Sequence, residues 1–370
     1  MTRAVLARDE VARYLQGSHG ESGPEARDRI YAYLEELRTT QRYPIYRALK
    51  HPLYPILRKI DRSAEGVEIP ARATAAGRVI YASNHRSHID YLLEPLVLDD
   101  HGIRPPIMAA GINLFGGPLG LIHRHVTGAL PIRRNTKDPA YLITLKAYVA
   151  ELLTRHDLMF YPEGGRSYSG ELKAPKTGLI HAALLAEVPG LVVLPCAIAY
   201  DIVLEDFVLA RQRVKRAQRP FARELAEMVR YAVGYRSRAY VTFGAPIPVD
   251  PLDPHSRRDL HELAHHTRDA IGHLMKVLPT ALVAASLRPS MARRELEARV
   301  AALIDTLQAA GANMGVTDAR EAVDRAVRAF DARGIIVAER GRFRVRERNV
   351  LRYYARSIEH LLPVPASRTH

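Results

Sequence analysis

Cysteine is almost missing from this chain: one residue in 370, Cys196, cannot build an internal disulfide framework, which fits a reducing compartment. It lies in the apolar run 191–200, which reads as a buried strand, so it is a small core residue and not a nucleophile. Long hydrophobic runs are missing as well. The longest apolar candidate, residues 271–287, is broken by His273, Lys276 and Pro279 and falls short of the roughly 20 residues that a spanning helix needs. The first residues lack the basic, apolar and small-residue succession of a secretory signal, so the chain is expected to stay on the cytoplasmic side. Low-complexity tracts and internal repeats are absent, which excludes disordered and solenoid classes. Acidic residues are the minority: Asp+Glu number 40 against Lys+Arg 54, a net charge of +14. Such a surface attracts phosphates, acidic proteins, nucleic acid and anionic lipid alike.

What is there is globular, with 47% hydrophobic residues in a length that suits about two domains, or one large α/β domain with helical additions. Residues 25–39 read as an amphipathic helix. Residues 43–60 mix Tyr43, Ile45, Tyr46, Leu49 and Leu53 with Arg47, Lys50 and Arg58, read as a helical cap on the core with a membrane-surface contact as the alternative. From Arg78 onward short apolar runs alternate with helical patterns, and residues 79–82, 106–110, 129–132, 158–161, 191–199 and 239–243 read as strands. The clearest helix is capped by Asp138 with Pro139 in its first turn. The fold class is α/β, a central mixed, largely parallel sheet flanked by helices. The units expected are an N-terminal helical segment (1–65), a catalytic α/β domain (66–277) and a mostly helical C-terminal region with a small hairpin at 334–346 (278–370). The basic run 211–219 is read as solvated.

Four clusters fall at predicted strand ends, where open α/β sheets place their ligands. In the first, Ser83-Asn84-His85-Arg86-Ser87-His88-Ile89-Asp90, a histidine stands five positions before an aspartate at a strand-to-helix junction. A carboxylate that accepts from one ring nitrogen fixes the tautomer and frees the other nitrogen to take a proton from a hydroxyl. His85, His88 and Asp90 lack a further ligand pair of recognised spacing, so no metal is expected. The second runs from Gly111 to Gly120 and then Gly128 to Arg134, ending in Arg133 and Arg134; it has neither dinucleotide spacing nor a P-loop lysine. The third, Glu163-Gly164-Gly165-Arg166-Ser167, sets an acid, two glycines and an arginine directly after a strand and reads as a phosphate pocket with both glycine N–H groups exposed, followed by Lys176-Thr177-Gly178. Ser169 stands where a hydrolase elbow needs glycine, so a serine nucleophile is disfavoured. The fourth, residues 192–200, is an apolar strand suited to the core or to lining a hydrocarbon chain.

In this order the clusters resemble the four blocks of the glycerolipid acyltransferase family, closest to its bacterial glycerol-3-phosphate 1-O-acyltransferases. Leu278-Pro279-Thr280-Ala281-Leu282 and the stretch from Arg352-Tyr353-Tyr354 to His360-Leu361-Leu362 are similar to the tail of those members. The resemblance implies His85 as general base, Asp90 as its orienter, and Arg133, Arg134, Glu163, Gly164, Gly165, Arg166 and Ser167 at the acceptor phosphate. It implies transfer of a fatty acyl group from acyl-CoA or acyl carrier protein to the sn-1 hydroxyl of glycerol 3-phosphate, without cofactor or metal, at the cytoplasmic membrane surface as a peripheral protein. Lysophosphatidate and dihydroxyacetone phosphate are the rival acceptors. The helix and basic hairpin at 317–346 faintly resemble a winged-helix element, but a single basic hairpin is usually a solvated edge and no nucleic acid is expected as partner.

Overall fold

The computed structural model describes residues 1–17, 23–53, 57–58, 60–211 and 237–363. Within them, β1 (Ile60–Glu65), β2 (Val79–Ser83), β3 (Ile107–Gly111), β4 (Ala129–Ile132), β5 (Leu158–Phe160), β6 (Val192–Tyr200), β7 (Ser237–Phe243) and β8 (Ile247–Pro248) form one sheet. Its order is β1-β7-β6-β2-β5-β3-β4, with β8 paired to β6. Strands β2 to β6 run parallel, β7 and β8 oppose β6, and β1 lies parallel to β7, which is the mixed, largely parallel sheet that the sequence predicts. All six strands read from the sequence are present. Two strands of this sheet are hidden from hydrophobicity: β1, where Ile60-Asp61-Arg62-Ser63-Ala64-Glu65 is a polar edge strand that buries Ile60 alone, and β8, which is only Ile247-Pro248.

Alternation along the strands divides the core. Tyr81, Met159, Leu194, Cys196 and Ile198 face one layer, and Ile80, Ala82, Leu158, Phe160, Val193 and Ala197 face the other. Helices Gly23–Leu37, Pro139–Leu153, Gly178–Leu184 and Arg257–Leu274 contribute to the second layer. The Asp138 carboxylate caps Pro139–Leu153 by accepting from the Ala140 N–H at 3.0 Å, as its position predicts.

Helix Asp90–Asp100 covers the first layer together with the C-terminal helices Pro279–Ser286, Arg293–Ala309, Ala319–Ala332 and Arg348–Arg356. One apolar cluster therefore runs from Tyr81 and Ile198 to Phe330 and Tyr354, and residues beyond 278 share the core of the sheet. The hairpin expected at 334–346 is β10 (Ile336–Glu339) and β11 (Arg342–Val345), joined by a third strand, β9 (Ser290–Ala292), that the sequence does not advertise. On helix Ala319–Ala332 the exposed face carries both signs, with Arg325 paired to Glu321 and Arg293 to Asp324, so it is not a uniformly cationic recognition face. The basic run 212–219 lies outside the described residues.

Candidate active site

Strand β2 delivers residues 84–89 to the carboxyl end of the sheet, and side chains from three neighbouring segments fix that loop. Asn84 extends the sheet pairing by donating to the Ile198 carbonyl at 2.9 Å and accepting from its N–H at 2.7 Å. The Asp90 carboxylate gathers four donors: the His85 Nδ1 side at 2.9 Å, the Arg86 N–H at 2.7 Å and the Ser87 N–H at 2.8 Å on Oδ2, and the Tyr200 hydroxyl at 2.6 Å on Oδ1. With Nδ1 so engaged, His85 turns its other nitrogen towards a cleft that it helps to line. Burial holds the imidazole pKa well below its usual value, and the Arg166, Arg134 and Lys173 charges add to this, so the ring is neutral at pH 7 and able to accept a proton. Asp90 is pushed up to about 6 by burial, against the pull of its donors, and is ionised at the same pH.

The cleft encloses about 480 Å³ between β3, β4, β5 and helix Pro139–Leu153. Its walls are apolar at Ala109, Ile132, Leu142, Leu145, Phe160 and Leu179, cationic at Arg133, Arg134, Lys146 and Lys176, and among the described residues carry no carboxylate. Glycines make seats for two of these cations. A Cβ at Gly111 would stand 3.0 Å from the Arg134 guanidinium, and one at Gly164 would lie 2.6 Å from the Lys176 side chain. Gly164 also needs its φ of +67°, which L side chains rarely adopt.

The residues expected at the phosphate separate into two groups. Arg134, Gly164 and Gly165 form cleft wall. Arg133 touches the cleft, but its guanidinium is held by Glu36, with Nε 2.6 Å from Oε1, and stacks on Tyr33 and Tyr141. Glu163 uses both carboxylate oxygens on backbone, accepting from the His85 N–H at 3.0 Å and the Lys173 N–H at 3.3 Å. Ser167 donates its N–H to the His85 carbonyl at 3.0 Å and its hydroxyl to the Glu171 carbonyl at 2.7 Å. Arg166 is buried beside the cleft rather than in its wall, with Nη1 3.6 Å from Glu205. The sequence predicts two exposed glycine N–H groups here, and the structure corrects one of them: the Gly164 N–H closes the turn by donating to the Tyr161 carbonyl at 2.9 Å. Strand β6 is buried on both faces and is core rather than cleft lining.

Several residues at the site carry no sequence motif. Glu205 accepts from the Ser87 hydroxyl at 2.9 Å and the His88 N–H at 2.7 Å. The last helix reaches the same loop: the Tyr353 hydroxyl donates to the Arg86 carbonyl at 3.4 Å, and Arg86 in turn donates to the Gly170 carbonyl. Tyr354 donates to Asp206 at 2.7 Å, and Arg333 pairs with the same carboxylate. Lys176 stood inside the third cluster, and its place after the Gly-Gly turn was the signal for it. Among the described residues no group of three or more His, Cys, Asp or Glu is placed to hold a metal ion.

Comparison with known proteins gives matches to two family models. An "Acyltransferase" family model matches residues 66–199, and a model of the "Glycerol-3-phosphate acyltransferase C-terminal region" matches residues 224–367. A glycerol-3-phosphate acyltransferase of Aeromonas hydrophila is 32% identical over 241 residues, 62% of this chain; the chain spans 30% of that relative's length. Among solved structures, the 1-acyl-sn-glycerophosphate acyltransferase of Thermotoga maritima matches with a TM-score of 0.37 and 15% identity over 71% of this chain and 85% of that one, too distant to support a reading. His85, Asp90 and the Glu163–Ser167 turn all fall within the first matched span, and Tyr353 and Tyr354 within the second. Residues 66–199 are thus similar to acyltransferases, and residues 224–367 to the C-terminal region of glycerol-3-phosphate acyltransferases.

Proposed function

We propose that the protein is an O-acyltransferase that moves a fatty acyl group from a thioester, acyl-CoA or acyl carrier protein, to the sn-1 hydroxyl of glycerol 3-phosphate, the first step of phospholipid synthesis. The observation that carries this is the neutral imidazole of His85, backed by Asp90, at the end of a cleft that is apolar along one wall and cationic along another. The matched family models and the named relative support the substrate class.

His85 removes the hydroxyl proton as the oxygen attacks the thioester carbonyl, and the imidazolium is held by the Asp90 carboxylate. Collapse of the tetrahedral intermediate breaks the carbon–sulfur bond, and the proton passes from His85 to the departing thiolate. No covalent enzyme intermediate or metal enters the sequence. Arg134 and Lys176, seated either side of Gly164-Gly165, hold the acceptor phosphate; Arg166 adds its charge from beside the cleft, and Glu163 and Ser167 shape the turn. The apolar wall takes the first carbons of the acyl chain.

The membrane is met peripherally, at its cytoplasmic face. No described helix is long and apolar enough to cross a bilayer, while Ile45 and Leu121 are 40% and 64% exposed near Arg42, Arg47 and Arg124, an apolar and cationic pairing suited to anionic headgroups. The test is an acceptor and donor panel: purified protein with palmitoyl-CoA or palmitoyl carrier protein, offered glycerol 3-phosphate, lysophosphatidate or dihydroxyacetone phosphate. Glycerol 3-phosphate is expected to give the highest kcat/KM. Preference for another acceptor would replace the substrate, and no transfer to any of the three would end the proposal.

A further inference from the structure

The imidazole of His85 lies flat on the ring of Tyr161, with centroids 4.1 Å apart and planes 8° from parallel. Tyr161 follows β5 directly, and its hydroxyl donates to Glu94 Oε2 at 2.8 Å, while the Ser83 hydroxyl donates to Oε1. Glu94 is fully buried and stands one helical turn after Asp90. One face of helix Asp90–Asp100 therefore fixes the imidazole twice: Asp90 grips its edge directly, and Glu94 holds the aromatic ring beneath its plane. Neither Tyr161 nor Glu94 has a part in the proton transfer as written above.

We propose that Tyr161, anchored by Glu94, is a positioning residue for His85, setting the plane of the imidazole and stabilising the imidazolium against its aromatic face. This rests on the assignment of His85 as the base. When His85 takes the proton, the positive charge forms in a buried site that already holds Arg166, Arg134 and Lys173 within electrostatic reach. Two groups in contact with the ring favour that charge, the Asp90 carboxylate at its edge and the electron-rich face of Tyr161. A desolvated cation–π contact is worth up to about 2 kcal/mol, which is roughly a 30-fold change in rate if it is made in the transition state. A phenol hydroxyl that donates to a carboxyl oxygen leaves more electron density in its ring, and the same hydrogen bond prevents the ring from tilting.

The test uses the full chain with glycerol 3-phosphate and palmitoyl-CoA, comparing Y161L, Y161F, E94L, the Y161F/E94L double variant and H85A in kcat and in both KM values. Y161L is expected to lose 10- to 30-fold in kcat with each KM within twofold of wild type. Y161F, which keeps the aromatic face and loses the tether, is expected to restore most of that loss. E94L, which takes away the acceptor of the Tyr161 hydroxyl, should match Y161F, and the double variant should be no worse than either alone, because both remove one contact. Activity in H85A close to wild type would overturn the base assignment itself. An inactive H85A beside a Y161L within twofold of wild type in kcat would overturn the Tyr161 role alone. Should Y161L not fold, additive losses in the Y161F/E94L pair would overturn it equally.

Discussion

Replacing Asp90 by asparagine removes one charge and almost no volume from the loop that carries His85. The amide oxygen can take the place of Oδ2 and keep the three N–H donors that converge there, and the Tyr200 hydroxyl can turn to accept from the new amide. Hydrogen bonds to a charged acceptor are worth about 1 kcal/mol more than those to a neutral one, so four bonds lose on the order of 4 kcal/mol. Part of that is offset, because the carboxylate is fully buried and its removal ends a desolvation cost large enough to lift its pKa to about 6. A net loss of about 1–3 kcal/mol leaves a chain of this size folded. Catalysis has no such compensation. An imidazolium 2.9 Å from a carboxylate gains roughly 6 kcal/mol at an effective dielectric of about 20, about four decades in rate. Asparagine also permits the wrong ring tautomer, which in serine hydrolase triads costs about 10⁴-fold. D90N should therefore lose 10³- to 10⁴-fold in kcat, followed as thiol release from palmitoyl-CoA at pH 7.5, while its thermal midpoint moves by only a few degrees. A variant that keeps more than a tenth of the wild-type kcat would refute the reasoning, because the carboxylate would then be a loop brace and not the partner of a charge formed at His85.

R134A should raise the KM for the phosphorylated acceptor 10- to 100-fold with a smaller change in kcat, the loss of one charge-assisted contact; R133A, whose guanidinium is already held by Glu36, should change that KM by less than fivefold. Gly170→Ala places a Cβ on the Tyr353 carbonyl at a φ of +88°, so urea unfolding should show a loss of about 2–4 kcal/mol; a loss under 0.5 kcal/mol would mean that the last helix does not pack there. Burial, and then the charge of Asp90, push Glu94 up to about 8. The folded state then holds a proton that the unfolded state releases above about pH 4.5, so stability falls as pH rises from 4.5 to 8, by about 4 kcal/mol from this group. Urea midpoints measured across that range should fall more steeply for wild type than for E94Q, and parallel curves would show that Glu94 does not carry the proton.

Much of the fold was legible in the sequence because the strands of a parallel sheet are buried on both faces and read as short apolar runs; each run from Val79 to Phe243 that was read as a strand became one. Strand β1 escaped because an exposed edge asks for no apolar stripe, and β9 because three residues of Ser-Met-Ala carry no period. At the site, local chemistry was readable and long-range chemistry was not. The five-residue step from His85 to Asp90 spans a single loop, so its geometry is implied by the strand-to-helix turn itself. The carboxylate of Glu205, 117 residues from His88, and the hydroxyl of Tyr353, 267 residues from Arg86, arrive by tertiary packing that no spacing announces. The third cluster shows the remaining difficulty: its residue types suit an anion, but the sequence does not say which side chains face the cleft and which, like Glu163, turn back to brace the backbone.

The contact between the last helix and the loop of His85 has a consequence during synthesis. A nascent chain that has emerged only as far as the sheet carries Asp206 without Arg333 or Tyr354 and the Arg86 carbonyl without Tyr353. Its buried carboxylate then lacks a counter-charge, and nothing from the C-terminal side clamps the histidine turn. The brace on the histidine turn is therefore complete only once Arg333, Tyr353 and Tyr354 have joined the sheet, and a chain cut before Arg333 is expected to hold that turn less firmly.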